Sequence, residues 1–332
     1  KKRQAGLVTV ETLQPAIDTL SNITNLALQH FPTHPAQFGN TVLGVTKAVL
    51  EANLVDAAVA QQAPAFVQHL TSALQSTSWE ALETATGQSR AQWAEAATVL
   101  AKANRLVILV GNGVLRHPGG DATVTNLLDL RILLGKLDKP GCGLGPLAEE
   151  NNDQGAVEMG AVAEFFPGPA PLDDQPVRDR IAAMWREDLP RTPGASLTEM
   201  LAAANKSTLK AMFVVGENPV GTLPAAAQAK EALGKLDLLV CQELFLTETA
   251  AMAHVVLPAC SYMEKDGTFT NSEGHVQGVR QAINPVGDSR PDWEMLSALS
   301  VLMGSPLEYV DAREILKEIR TVIPGYGLLG PT

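Results

Sequence analysis

The sequence predicts an α/β fold of two domains, each a doubly wound parallel sheet with helices on its faces. Three observations carry that reading. Short β-branched runs bounded by Gly and Pro alternate with segments whose apolar residues recur at helical spacing. Two such regions are separated by a stretch between Phe166 and Pro193 in which six prolines argue against regular structure. The 332 residues, 45% hydrophobic with a mean hydropathy near zero, suffice for two packed cores.

Taken in order, residues 41–52 read as helix, and residues 89–103 as an amphipathic helix with Ser89 as N-cap. Leu106 to Val110 is the clearest first strand; it enters Gly111-Asn-Gly113 and a Pro-Gly-Gly turn. A helix over 123–137 follows, with Val124, Leu127, Leu128, Leu134 and Leu137 on one face. Beyond the proline-rich break come a helix at 197–204, a strand at 211–215, a helix at 224–233, a strand at 236–240, a short helix at 247–252 and a strand at 254–257. This β-α-β-α-β order predicts a parallel sheet whose ligands bind at the carboxyl ends of the strands. Gly216-Glu-Asn-Pro219, Gln242-Glu243 and Pro258 occupy those ends.

Composition excludes several functions. A net charge of -11 with no basic patch disfavours nucleic acid and anionic lipid. The longest apolar runs fall far below the roughly 20 residues that span a bilayer. Lys1-Lys-Arg is not followed by a signal-peptide apolar region, which gives a cytoplasmic expectation. Cys142, Cys241 and Cys260 have neither disulfide nor Cys-x-x-Cys spacing, and Cys241 and Cys260 read as buried hydrophobes. Pro32 breaks the helical face that a metal pair of His30 and His34 would need, so no metal ligand is expected. Neither a Gly-x-Gly-x-x-Gly fingerprint after a strand nor a phosphate-binding Gly-x-x-x-x-Gly-Lys-Ser/Thr loop is present.

Two segments carry chemistry. Gly216 permits close backbone approach, while Glu217 and Asn218 offer an acceptor and an amide to a heterocycle or ribose; the same four residues also make a good structural turn. Glu264-Lys-Asp-Gly-Thr-Phe-Thr-Asn271 with Ser272-Glu-Gly-His-Val-Gln277 packs charge densely after a buried strand. It reads either as a binding loop or as a solvated surface turn around Gly267. Without a ligand, Glu264, Lys265 and Asp266 are expected to pair with one another or with Arg280 and Arg290.

Gly216-Glu-Asn-Pro219, Phe245-Leu-Thr-Glu-Thr-Ala250, His254-Val-Val-Leu-Pro-Ala259, Glu264 to Asn271 and Pro291-Asp-Trp-Glu294 together resemble the ordered signature of the formate dehydrogenase branch of the molybdopterin oxidoreductase superfamily. The likeness extends upstream to Gly135–Gly145, Asn151-Asn-Asp-Gln-Gly-Ala156, Met159-Gly160, Phe166-Pro-Gly168, Leu189-Pro190 and Pro193-Gly194. It implies two domains of the formate dehydrogenase/DMSO reductase type, which in relatives cradle two pterin guanine dinucleotides around molybdenum or tungsten. The implied division is 1–146 for the end of one α/β domain, 147–304 for the second and 305–332 for a C-terminal helix and tail. If a pterin dinucleotide is bound, the resemblance assigns it to Gly216, Glu217, Asn218, Gln242, Thr247 and Asp266.

Three departures point away from an active formate dehydrogenase. Ala148, within Pro146-Leu-Ala-Glu149, stands where those enzymes carry a substrate arginine, and an alanine cannot bind a carboxylate. No Cys precedes Cys142, and the chain ends about 28 residues after Gly304, without the β-barrel that closes over the pterins. In these respects, and in Glu273-Gly-His-Val-Gln277, Asp311 to Ile319 and Pro324-Gly-Tyr326, it is similar to the large iron-sulfur subunit of respiratory complex I, an NADH:quinone oxidoreductase.

The resulting expectation is a scaffold with no catalytic residue, metal ligand or cofactor of its own. Iron-sulfur clusters would lie in a cysteine-rich N-terminal part or in partner subunits of a multisubunit redox complex, peripheral to the inner membrane and not inserted in it. The alternatives are a fragment of a catalytic molybdenum or tungsten formate dehydrogenase carrying a bis-pterin guanine dinucleotide, and a nucleotide- or pterin-binding module of another redox complex such as a hydrogenase-linked diaphorase.

Overall fold

The computed structural model describes residues 8–12, 29–147, 150–185 and 189–328. The chain divides into two compact units, Lys1–Glu149 and Glu150–Thr332. Ala148 and Glu149 lie outside the described residues.

In the first unit, β1 (Val8–Thr12) pairs in parallel with β2 (Gln29–Thr33). Helices α1 (Phe38–Glu51), α2 (Ala57–Gln62), α3 (Pro64–Gln75), α4 (Trp79–Thr86) and α5 (Arg90–Lys102) follow. Ser89 and Gln92 form a capping box at the start of α5, in keeping with the N-cap read from the sequence. Strand β3 (Val107–Gly111) leads through α6 (Asn112–Leu115) to α7 (Gly120–Leu133) and then β4 (Gly143–Leu147), which pairs with β3 in parallel. Val45, Val49, Trp93, Ala97, Leu130 and Leu133 fill the core between α1, α5 and α7.

Helix α7 starts and stops earlier than the sequence suggests. Gly135 adopts φ +63°, and the Gly135 and Lys136 amides turn back to the Ile132 and Arg131 carbonyls. This left-handed turn ends the helix, so Leu137 is exposed and does not extend the apolar face.

The second unit opens with α8 (Asp153–Glu158) and a short hairpin of β5 (Phe165–Phe166) and β6 (Ala170–Pro171). The proline-rich stretch, expected to be irregular, also contains an 11-residue helix, α9 (Gln175–Trp185). Only Pro176 falls within it, in the first turn, where a missing N–H costs no intrahelical bond. Buried Arg178 then stitches the flanking segments by donating to the Leu172, Leu189 and Pro190 carbonyls.

Helix α10 (Leu197–Asn205) precedes a parallel sheet of β7 (Ala211–Val215), β8 (Leu238–Glu243) and β9 (Val255–Pro258), in spatial order β7-β8-β9. The connections are α11 (Pro219–Thr222) with α12 (Ala226–Leu233), and α13 (Glu248–Ala251). Val214, Leu239 and Cys241 pack on Ala204, Ala232, Leu233 and Ala250, so α10, α12 and α13 cover one face. Phe213, Val215, Leu238 and Val255 remain over a third exposed.

The charged segment after β9 is an antiparallel hairpin, β10 (Gly267–Thr270) with β11 (Val276–Val279). Its turn lies at 271–275 around Gly274 (φ +78°), and Gly267 instead begins the first strand. Helices α14 (Asp292–Leu302) and α15 (Ala312–Val322) and a final 3-10 turn (Pro324–Leu328) complete the unit. Val322, Ile323 and Tyr326 enter a core with Phe166, Leu172, Ile181 and Leu189. The described residues contain no β-barrel, and none of their helices is long and apolar enough to cross a membrane.

Candidate functional site

At the carboxyl edge of the β7-β8-β9 sheet, β7 runs out into Gly216, whose amide donates to the Gln242 carbonyl at 2.9 Å. Gly216 adopts φ +61°, and no heavy atom lies within 4 Å of where a Cβ would stand. Left-handed backbone beside open space lets a ligand approach the main chain closely.

Glu217 is exposed; its Oε1 accepts from the Asn218 amide at 3.0 Å and the Thr222 hydroxyl at 2.8 Å. Asn218 is a hub. Its Oδ1 accepts from the Thr249 amide at 3.1 Å and hydroxyl at 2.8 Å, and its Nδ2 donates to Glu248 Oε2 at 2.8 Å. Thr249 Oγ1 in turn accepts from the Val220 amide at 3.1 Å. The Asn218 amide therefore braces the loop from within. Its donation is the main reason that the Glu248 carboxyl sits below the ordinary carboxylate range. Thr247 caps α13 by accepting from the Ala250 amide at 3.2 Å.

Gln242 is fully buried on β8. Its Nε2 donates to Asp292 Oδ1 at 2.7 Å, whereas its Oε1 has no protein partner. Asp292 also pairs with Lys265, giving a chain from the sheet edge to the start of the hairpin. The ion pairs expected of the charged segment therefore form differently. Glu264 is held by the Ser261 amide at 2.8 Å and the Val286 amide at 2.9 Å, and these bonds, Ser261 first, hold its carboxyl low. Asp266 is exposed and accepts from the Gln281 amide at 2.8 Å. Backbone donors supply what Arg280 and Arg290 were expected to supply, because the hairpin base presents unpaired amides at short range.

Five of the residues singled out from the sequence, Gly216, Glu217, Asn218, Gln242 and Thr247, are thus placed at or beside one sheet edge. Asp266 lies at the hairpin base, next to Lys265. Lys265, read from the sequence as an ion-pairing residue, and Glu248, Thr249 and Asp292, quoted there only within family motifs, join the site without having been assigned to it. Glu248 and Thr249 had a local signal, since they follow the Thr247 cap; Asp292 lay in a quoted motif, but nothing local joined it to Gln242, 50 residues away. Among the described residues, no three His, Cys, Asp or Glu are grouped so as to hold a metal ion.

The chain is similar to the F420-dependent formate dehydrogenase subunit alpha of Methanocaldococcus jannaschii, at 38% identity over 234 residues, covering 70% of this chain and 34% of the relative. It is also similar to formate dehydrogenase H of Escherichia coli, at 33% identity over 280 residues, covering 84% of this chain and 39% of the relative. It therefore spans well under half the length of these curated relatives. Among solved structures, acetylene hydratase from Pelobacter acetylenicus shares the fold, with a TM-score of 0.71 at 17% identity over 97% of this chain and 46% of that one. Residues 4–301 match the molybdopterin oxidoreductase family model, and the chain belongs to that family.

Proposed function

We propose that this chain supplies the nucleotide-holding α/β part of a formate dehydrogenase-type alpha subunit, in a multisubunit redox complex using a molybdenum or tungsten bis-pterin guanine dinucleotide. The names of its relatives favour this reading over a complex I scaffold. The observation that carries it is the built sheet edge, where open space beside Gly216 adjoins a buried Gln242 whose acceptor oxygen has no protein partner. The exposed carboxylate of Glu217 beside that open backbone and that of Asp266 at the hairpin base fit a nucleotide end rich in N–H and O–H groups, while a buried acceptor without a protein partner marks a strained polar spot under the edge.

In this reading Gly216 admits the ligand against the backbone. Glu217 and Asp266 offer exposed carboxylate oxygens to base or ribose donors, Thr247 offers a hydroxyl, and Asn218 fixes the loop that carries Glu217. Lys265 and Asp292 hold Gln242 in place. When bound, the group supplies two-electron redox chemistry at its metal.

A second reading, the complex I type scaffold, is favoured by Ala148 at the position of the substrate arginine. Metal analysis and pterin extraction on the intact native complex, with iron quantified in the same sample, separate the two. Molybdenum or tungsten with stoichiometric pterin is the expected result. Iron without them would overturn the proposal and return the chain to the scaffold.

A further inference from the structure

The hairpin that starts at Lys265 is also tied down at its other end. Thr270, the last residue of β10, is buried, and its amide donates to Asn152 Oδ1 at 2.8 Å. Its hydroxyl donates to Glu158 Oε2 at 3.3 Å and lies 3.3 Å from the Tyr326 Oη. The Tyr326 hydroxyl donates to the same Glu158 oxygen, and Gln154 Nε2 donates to Glu158 Oε1 at 2.9 Å. Both carboxylate oxygens are therefore met by neutral donors from α8, β10 and the C-terminal turn.

Apolar side chains would hold three elements together without the cost of desolvating a carboxylate, whereas directional bonds fix their relative orientation. The Tyr326 ring is itself buried beside Val322, Ile323 and Phe166, and burial pushes its phenol up to about 12, so it remains a donor throughout the neutral range.

We propose that Tyr326 and Thr270 are positioning residues: by bonding Glu158 and Asn152 they fix α8, and the Asn151-Asn152 turn that opens it, against strand β10, whose other end is tied through Lys265 and Asp292 to Gln242. The hairpin is thus a strap between the sheet edge and the turn that follows Ala148 in sequence. Its consequence for turnover rests on the function proposed above; its mechanical part does not.

The test uses the native complex carrying Tyr326→Phe, with Thr270→Val and the hydroxyl-retaining Thr270→Ser as a second pair. Hydrogen exchange across 150–158 should become about tenfold faster in Tyr326→Phe and Thr270→Val and return to the wild-type rate in Thr270→Ser, as expected for a lost bond to a charged group. The cofactor's spectroscopic signature should shift in the first two variants at unchanged metal content. Unchanged exchange in 150–158, or an equal rise throughout residues 150–328, would overturn the strap. A shift in exchange without any change of signature would overturn its role in positioning the site. Absence of molybdenum, tungsten and pterin from the wild-type complex would instead overturn the function proposed above, and exchange would still decide the strap.

Discussion

Asn218→Ala removes the hub of the sheet-edge loop. Thr249 is fully buried, and in the variant its amide and hydroxyl both lose their acceptor. A buried donor left unpaired costs about 1–3 kcal/mol, so two amount to about 2–6 kcal/mol. The lost bond to Glu248 adds little, because that exposed carboxylate can turn to water. The effect is local, so the assay is hydrogen exchange in the native complex, read at the amides of Thr249 and Ala250. Even the lower end of the range corresponds to roughly thirtyfold faster exchange. Asn218→Asp is the control of sign. It keeps both acceptor bonds but places a carboxylate against Glu248, so it should be destabilised at neutral pH and recover as pH falls towards about 4. Wild-type exchange at Thr249 in Asn218→Ala would refute the reasoning, as would an Asn218→Asp variant indifferent to pH.

Three further outcomes are expected. In Gly155→Ala the new Cβ would stand 2.2 Å from Asn152 Oδ1, expelling the acceptor of the Thr270 amide; the loss of about 1–3 kcal/mol outweighs the ~0.5–1 kcal/mol gained from the better helix former, and faster exchange at Thr270 checks it. Tyr326 and Tyr309, both pushed up to about 12 by burial and then by Glu158 and Glu318, are favoured protonated in the fold. Their stabilisation is complete below the ordinary phenol value and is lost as pH rises through about 12, so Tyr326→Phe should delete a late step from the phenolate absorbance titration. The Glu264 carboxyl is depressed, so its contribution is present above the ordinary carboxylate range and is lost as pH falls through the lowered value. Glu264→Gln should therefore flatten the acid dependence of exchange at Ser261 and Val286, and an unchanged dependence would refute that account.

The sequence determined what depends on neighbours along the chain. β-branched runs ending in Gly or Pro placed β3, β7 and β9 to within a residue or two, since strand propensity and the turn that stops it are local. The ordered motifs gave the family, because a signature of several segments survives even where each alone is a passable turn. Tertiary structure decided what depends on partners far away in sequence. Six prolines hid α9, because five of them fall outside it and Arg178 holds the ends together from within the fold. Gly135 ended α7 through backbone conformation, which no apolar pattern records. Gln242, Lys265 and Asp292 meet only because a parallel sheet and a hairpin bring residues 50 positions apart to one edge. Charge density marked 264–277 as important, but the choice between backbone amides and arginines as its partners was made by geometry at the hairpin base, where the nearest unpaired donors are main-chain N–H groups.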